Sequence, residues 1–474
     1  MDHSFKATRR FPSWLMTLAL ALTTAGCGGT SYFRNAPIEA LTPAGGYRAE
    51  QAFFDPDQAE VAVVLAFSGG GSRASALAYG VLEELARHRV TVRGQTRRLL
   101  DEVDLVYGVS GGAVTAAYYG AFGDRIFTDF VPNFLSVDFQ WALGREILNP
   151  VGLTRLLDPT IGRGDILQER LDQVLFQGIT FGQMKDRPRV VLGSTDLSTG
   201  ARFEFTQNYF DLLCSDLSTF PVARAVAAST TLPLWLAPIT LDNHAGRCGD
   251  AAVRALQAQS ANRVSPGDQI LLEDMLNYTD GKGRPFLHLV DGGLSDNLGI
   301  RGLFDMETLS RGKALGPPPT EVHIRRFVLI TVNAANGMGS TIDETPDVPN
   351  TSAVFGALVD LPLARRSRET ELLVRDLERR HAQASRDAKE TGSKAIEDYY
   401  AIHVGFRGMT DTPAPADPMS RIRRWNSGDS LTSVAPAPRR RSICSGDNFQ
   451  VVGSDRRVRR AGVSVMPRKP TWIA

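Results

Sequence analysis

The sequence predicts an α/β fold of three layers with a largely parallel central sheet. Three observations carry that expectation. The run 61–67 is continuously apolar over strand length, as suits a strand covered on both faces. A glycine turn and an amphipathic helix follow it at once, and the same strand–turn–helix unit recurs at 103–119. Further strands are expected at 190–195, 286–290 and 327–332, alternating with helical stretches.

In chain order, residues 1–26 read as an export signal. Lys6, Arg9 and Arg10 precede the apolar run 14–22, and the small residues Thr24, Ala25 and Gly26 precede Cys27. The apolar run is short for a transmembrane helix. Small residues ahead of a cysteine resemble a bacterial lipoprotein signal, in which Cys27 would be acylated and become the mature N-terminus. An ordinary cleaved signal peptide is the plainer alternative. Either way the chain is expected in the bacterial cell envelope, exported. With Cys27 lipidated it would be membrane-anchored, periplasmic or on the outer membrane. Residues 27–58, with their glycines and prolines, are expected to be a tether, and residues 59–410 the folded domain.

Within that domain, Leu77, Val81, Leu82 and Leu85 recur at helical spacing over 74–87. Residues 103–107 read as a strand, 108–112 as a tight turn and 113–119 as a helix of small residues. Between 125 and 184 large apolar residues accumulate, among them Phe127, Phe130, Phe134, Phe139 and Trp141. Leu167, Leu171, Val174 and Leu175 mark an amphipathic helix there. Core packing is the expected use of this stretch, with a cap lining an acyl-chain groove or touching a membrane as the alternative. Residues 352–384 read as another helix. Beyond 411, Pro413, Pro415, Pro418, Pro436 and Pro438 stand among arginines without apolar periodicity, so 411–474 is expected to be a basic, disordered tail.

Charge and cysteine usage narrow the function classes. The net charge is +1, but residues 421–474 hold twelve Lys and Arg against three Asp and Glu. The remainder is therefore acidic and gives no reason to expect a nucleic-acid partner. Cys214 and Cys248 are candidates for a disulfide, which would stabilise an exported chain by roughly 3 kcal/mol; two buried free thiols are the alternative. No paired-cysteine or HExxH spacing is present, so neither a metal nor another cofactor is expected.

The chemistry-bearing residues lie in three glycine-rich stretches. Ser110 stands in a G-x-S-x-G pattern, Gly108-Val109-Ser110-Gly111-Gly112, between an expected strand and an expected helix. That context suits a nucleophile elbow, because flanking glycines tolerate a strained turn that exposes the hydroxyl. Gly69, Gly70 and Gly71 follow the first strand, and consecutive glycines let backbone N–H groups converge on an oxyanion, with Arg73 close by. Gly69, Gly71 and Ala74 also match the dinucleotide pattern G-x-G-x-x-A, but the next strand runs into Gly108 rather than ending in the acid that pattern needs.

The base has several contenders. His323, His381 and His403 fall late enough for a Ser–His–Asp esterase, yet none sits in a glycine turn after a strand. His288 lies three residues before Asp291, on the opposite strand face. Asp291 ends the apolar run 286–290 and is followed by Gly292 and Gly293, where a loop would bring it to Ser110. An aspartate is a weak base unless burial raises its pKa.

At these residues the chain resembles the patatin-like phospholipases. Residues 69–73 look like the family's oxyanion motif, 108–112 like its nucleophile motif, and Asp291-Gly292-Gly293 like its base motif, with 195–200 and 227–233 as lesser likenesses. The likeness covers about residues 61–303. It implies a patatin-like α/β/α fold and a Ser110–Asp291 dyad without histidine. It also implies metal-free hydrolysis of lipid acyl esters, phospholipase A or lysophospholipase in kind. Family members often carry Asp before the glycine run and Gly after the basic residue, where this chain has Ser68 and Ala74. A non-catalytic envelope lipoprotein that binds lipid on the same fold is the alternative function.

Overall fold

The computed structural model describes residues 33–42, 45–53, 61–92, 94–233, 235–261, 266–311, 324, 326–334, 342, 346, 348–391 and 398–405. The signal 1–26, Cys27, His323 and the tail 411–474 lie outside the described residues.

The first unit is strand β1 (Val61–Phe67) followed by helix α1 (Gly71–Arg87). A small hairpin of β2 (Arg89–Val92) and β3 (Gln95–Arg98) leads to β4 (Leu105–Val109) and helix α2 (Gly111–Phe122). Helices α3 (Phe139–Leu148), α4 (Pro150–Arg155) and α5 (Arg163–Leu171) precede β5 (Arg189–Asp196) and the short β6 (Arg202–Glu204). Then come α6 (Gln207–Leu212), α7 (Val222–Thr230), β7 (Ile239–Asp242), α8 (Ala251–Ser260) and α9 (Pro266–Asn277). Strand β8 (Phe286–Asp291) leads into α10 (Gly293–Asp296) and α11 (Arg301–Arg311). Strand β9 (Arg326–Asn333), the 41-residue α12 (Thr351–Thr391) and β10 (Asp398–Gly405) complete the described chain.

The strands form one sheet in the order β10-β9-β1-β4-β5-β8-β7, with β6 alongside β5. From β10 to β5 every pairing is parallel, whereas β8 runs antiparallel to β5 and β7 antiparallel to β8. The three layers are legible in β1 alone, because successive side chains point to opposite faces. Val63, Leu65 and Phe67 enter one core, with α1, α2 and α7, while Ala62, Val64 and Ala66 enter a second, with Leu298, Ile300 and Val374. Both faces being covered explains why the strand reads as unbroken apolar sequence.

Two expectations change on inspection. The described part of the expected tether, residues 33–42 and 45–53, packs against the body. Tyr47 is buried and its hydroxyl accepts from the Val190 N–H at 2.7 Å, while Arg48 pairs with Asp211 at 2.7 Å. Glycine and proline content marked that stretch as linker, but one tyrosine and one arginine with buried partners suffice to order it. The aromatic stretch does pack, in part. Phe130 is fully buried against Tyr118, with ring centroids 5.2 Å apart, whereas Trp141 is 62% exposed. Leu167, Leu171 and Leu175 are buried as their spacing predicts, and Val174 is half-buried.

Candidate active site

Strand pairing and register bring the glycine-rich turns to one end of the sheet. Val109 pairs with Gly193 and Ser194 pairs with Asp291, so the residue after β4 and the last residue of β8 lie level, on either side of β5. This is the carboxyl end of the parallel strands, where such sheets bind ligands.

Ser110 occupies the turn between β4 and α2 with φ 51° and ψ −122°, a left-handed conformation costly for any residue with a Cβ. The neighbouring chain leaves little choice. A Cβ on Gly112 would stand 2.4 Å from the Phe67 carbonyl oxygen, so the start of α2 abuts the end of β1 as only glycine permits. Ser110 is the N-cap residue of α2, where a serine hydroxyl usually accepts from the helix backbone. Here it makes no such cap. Its Oγ donates instead to Asp291 Oδ2 at 2.6 Å, between two side chains that are 8% and 6% exposed.

Burial pushes the Asp291 carboxyl up to about 6, and the hydrogen bonds from Ser110 and from the Gly293 N–H partly offset that rise. The Gly293 N–H donates to Oδ1 at 2.8 Å, which leaves Oδ2 for the serine. Gly292 lets the base loop press on β5, since a Cβ there would lie 2.2 Å from the Gly193 carbonyl oxygen. Gly108 is the penultimate residue of β4, directly ahead of the elbow.

The first glycine stretch lies against the same serine, a Cβ on Gly69 falling 3.2 Å from Ser110 Cβ. Its three glycines divide their work. The Gly69 N–H donates to the Asn297 carbonyl at 3.0 Å and is therefore spent on structure, which corrects its expected share in an oxyanion hole. Gly70 and Gly71 take φ 138° and 64° at the N-terminal end of α1, where backbone N–H groups have no helical acceptor and the helix dipole is positive. Gly70, Gly71 and Arg73 are exposed beside the buried serine. A developing negative charge on a substrate oxygen would meet these donors.

Several supports were only faintly visible in the sequence. Ser229, in one of the two lesser stretches, accepts from the Ser110 N–H at 2.9 Å and donates to the Gly193 carbonyl at 2.6 Å. Thr195, in the other, donates to the Asp291 carbonyl at 2.9 Å. Ser68, where relatives often carry Asp, bridges the loops after β1 and β9 by accepting from the Ala334 N–H at 2.9 Å. Their signal was small polar residues in otherwise apolar strand and helix ends, a pattern that identifies no partner. Ala74 is buried in the first turns of α1.

Two of the histidine contenders lie elsewhere. His288 meets Thr240 across the β7–β8 edge, and His403 meets Thr331 between β9 and β10. Cys214 and Cys248 form a disulfide, which decides between the two readings of those thiols. Among the described residues no group of three or more His, Cys, Asp or Glu could hold a metal ion. No helix among them is long and apolar enough to cross a membrane.

A family model described as patatin-like phospholipase matches residues 65–304. Among solved structures, human GIVD cytosolic phospholipase A2 is similar at 12% identity with a TM-score of 0.31, over 64% of this chain and 52% of that one. The same human enzyme in complex with methyl gamma-linolenyl fluorophosphonate and terbium chloride is similar at 15% identity and a TM-score of 0.29, over 60% of this chain and 43% of that one. This chain thus spans about half the length of those structures or less. The likeness is too distant to carry a substrate across. A search of curated proteins found no match.

Proposed function

The chain belongs to the patatin-like phospholipase family, and from that premise we propose that it hydrolyses lipid acyl esters with Ser110 as nucleophile and Asp291 as its base. The observation that carries the reading is the buried 2.6 Å hydrogen bond from Ser110 Oγ to Asp291 Oδ2, made by a serine held at positive φ.

The reaction follows from that contact. Ser110 Oγ attacks the ester carbonyl carbon while its proton passes to Asp291 Oδ2. The carbonyl oxygen takes up the electron pair and becomes an oxyanion beside the backbone N–H groups of Gly70 and Gly71. One such donor is worth about 10²–10³ in rate in comparable hydrolases. Collapse of the intermediate expels the alcohol, which takes the proton back from Asp291, and leaves an acyl group on Ser110. Water then attacks the acyl-enzyme as Asp291 accepts its proton, and as the acyl bond to Ser110 Oγ breaks that oxygen takes the proton back from Asp291 and a carboxylic acid departs. A base at about 6 is ionised at neutral pH, yet closer to its partners in basicity than a solvated aspartate.

From the N-terminal sequence we also propose that the protein resides in the bacterial envelope. Cys27 is proposed to be acylated and to hold the chain at a membrane surface; the Cys214–Cys248 disulfide supports export to an oxidising compartment. Mass spectrometry of the mature N-terminus tests the anchor, and an unmodified residue there removes it. For the chemistry, a fluorophosphonate probe is expected to label Ser110. Ser110→Ala and Asp291→Asn are each expected to abolish ester hydrolysis while the protein remains folded. Undiminished turnover by Ser110→Ala would end the proposal.

A further inference from the structure

The family-matched segment ends at residue 304, yet the site is buttressed by a helix well beyond it. Helix α12 packs across the carboxyl end of the sheet and makes polar contact with the segment after β8 and with the end of β9. Ser367, 2% exposed, accepts from Asn297 Nδ2 at 2.8 Å and donates its own proton to the Leu363 carbonyl at 2.8 Å. Arg366 donates to the Ser295 carbonyl at 3.2 Å, and Glu371 accepts from Asn333 Nδ2 at 2.7 Å. Leu363 reaches the base loop as well, a Cβ on Gly293 falling 2.8 Å from its Cδ2.

Asn297 is where these supports converge on the oxyanion side. Its backbone carbonyl holds the Gly69 N–H at 3.0 Å. Its Oδ1 would stand 2.4 Å from a Cβ on Gly69 and 2.8 Å from one on Gly293. One residue therefore touches both the glycine stretch that faces the substrate oxygen and the loop that carries Asp291. What keeps its side chain in place is Ser367. Because the Ser367 proton is already given to Leu363, its oxygen is left to accept, and the Asn297 amide must present its NH₂ to it.

We propose that Ser367 and Asn297 form a strut by which α12 sets the position of the oxyanion loop, so that Ser367 is a positioning residue for catalysis. The inference rests on the Ser110–Asp291 reading. Nothing in it requires Ser367 to touch substrate. Removing its hydroxyl leaves a buried amide without its acceptor, and the cheapest relief is rotation of Asn297, which releases the Gly69 stretch from its packed position. Displacing catalytic donors by about 1 Å costs about a hundredfold in rate.

The test separates positioning from stability. In full-length protein, fluorophosphonate titration counts active sites, and kcat and KM on a short-chain ester are then measured per titrated site. Ser367→Ala is expected to lower kcat at least tenfold per titrated site with KM within about twofold, since the loss falls on the transition state. Ser367→Cys, which keeps the size but accepts weakly, is expected to fall between Ala and wild type and serves if the alanine variant does not fold. Ser367→Thr, which keeps the hydroxyl, is expected to retain most of the rate.

Thr370→Val is the control. Thr370 is equally buried on the same helix and accepts from Arg301 Nε at 3.4 Å, so its loss destabilises without touching the strut. Equal kcat per titrated site for Ser367→Ala and Ser367→Cys and wild type overturns the strut while leaving the dyad standing. So does an equal fall in Thr370→Val. A wild type that is neither labelled nor active overturns the dyad reading, and the strut with it.

Discussion

Replacing Asp291 with asparagine should stabilise the protein at neutral pH even as it removes the base. The structure buries this carboxyl and raises it from 3.8 to about 6. A group whose folded pKa lies above its unfolded one binds its proton more tightly in the native state. The resulting stabilisation is present in full below about pH 4 and is lost as pH rises towards about 6. Above that, holding the ionised carboxylate inside costs the difference of about two pKa units, or about 3 kcal/mol. Asparagine carries no such cost at any pH.

The hydrogen bonds shift this difference without tilting it. Asparagine Oδ1 still accepts from the Gly293 N–H, while the contact to Ser110 changes its donor, a change of about 1 kcal/mol. Urea unfolding of wild type and Asp291→Asn, repeated from about pH 4 to about pH 8, reads the outcome. The stability of the variant relative to wild type should climb by about 1.4 kcal/mol per pH unit between about 4 and 6 and then level off. At about pH 7.5 the variant should be the more stable by about 1–3 kcal/mol. A relative stability that stays flat across the range, or falls, would show that Asp291 is not a carboxylate held at a cost, and the argument for a tuned base would fail.

Other consequences can be checked alongside. Because the base must be ionised to accept the Ser110 proton, kcat/KM on a neutral ester should rise through about pH 6 and then plateau; an acid limb centred near the ordinary carboxylate range would contradict this. Gly112→Ala drives a methyl to 2.4 Å from the Phe67 carbonyl oxygen, within backbone that has no room to yield. It should cost about 3 kcal/mol or prevent folding, and denaturation showing a loss below about 1 kcal/mol would refute the close packing of α2 on β1. Ser229→Ala removes the acceptor for the Ser110 N–H and should lower stability by about 1–2 kcal/mol and kcat about tenfold, both measurable on purified protein. Reduction of the Cys214–Cys248 bond should lower stability by roughly 3 kcal/mol in denaturant; unchanged midpoints would show that the loop it closes is held by packing alone.

Much of this molecule was legible before any coordinates. The unbroken apolar run at 61–67 announced a strand buried on two faces, and β1 lies inside the parallel region; the strand expected at 190–195 is β5, where that region ends. Glycines bracketing Ser110 announced a turn too tight for side chains. Glycine and proline misled at 33–53, because linker composition does not register that Tyr47 and Arg48 have buried partners waiting far along the chain. The strands β7 and β10 were passed over, the first being short and the second lying after a long helix, where local pattern is weak.

By itself the sequence determined the local events, namely where five strands lie, though β4 runs on to Val109 through the expected turn, where a serine must sit in a strained turn, and where a carboxylate precedes a pair of glycines. Those depend on steric and hydrophobic preferences that act over a few residues. Only tertiary structure decided that Ser110 and Asp291 meet at 2.6 Å, that β8 runs antiparallel to β5, that Gly69 spends its N–H on Asn297, and that Ser367 stands behind Asn297. Hydrogen bonds and burial between residues seventy or more positions apart depend on how the whole chain packs, and no short stretch of sequence carries that information.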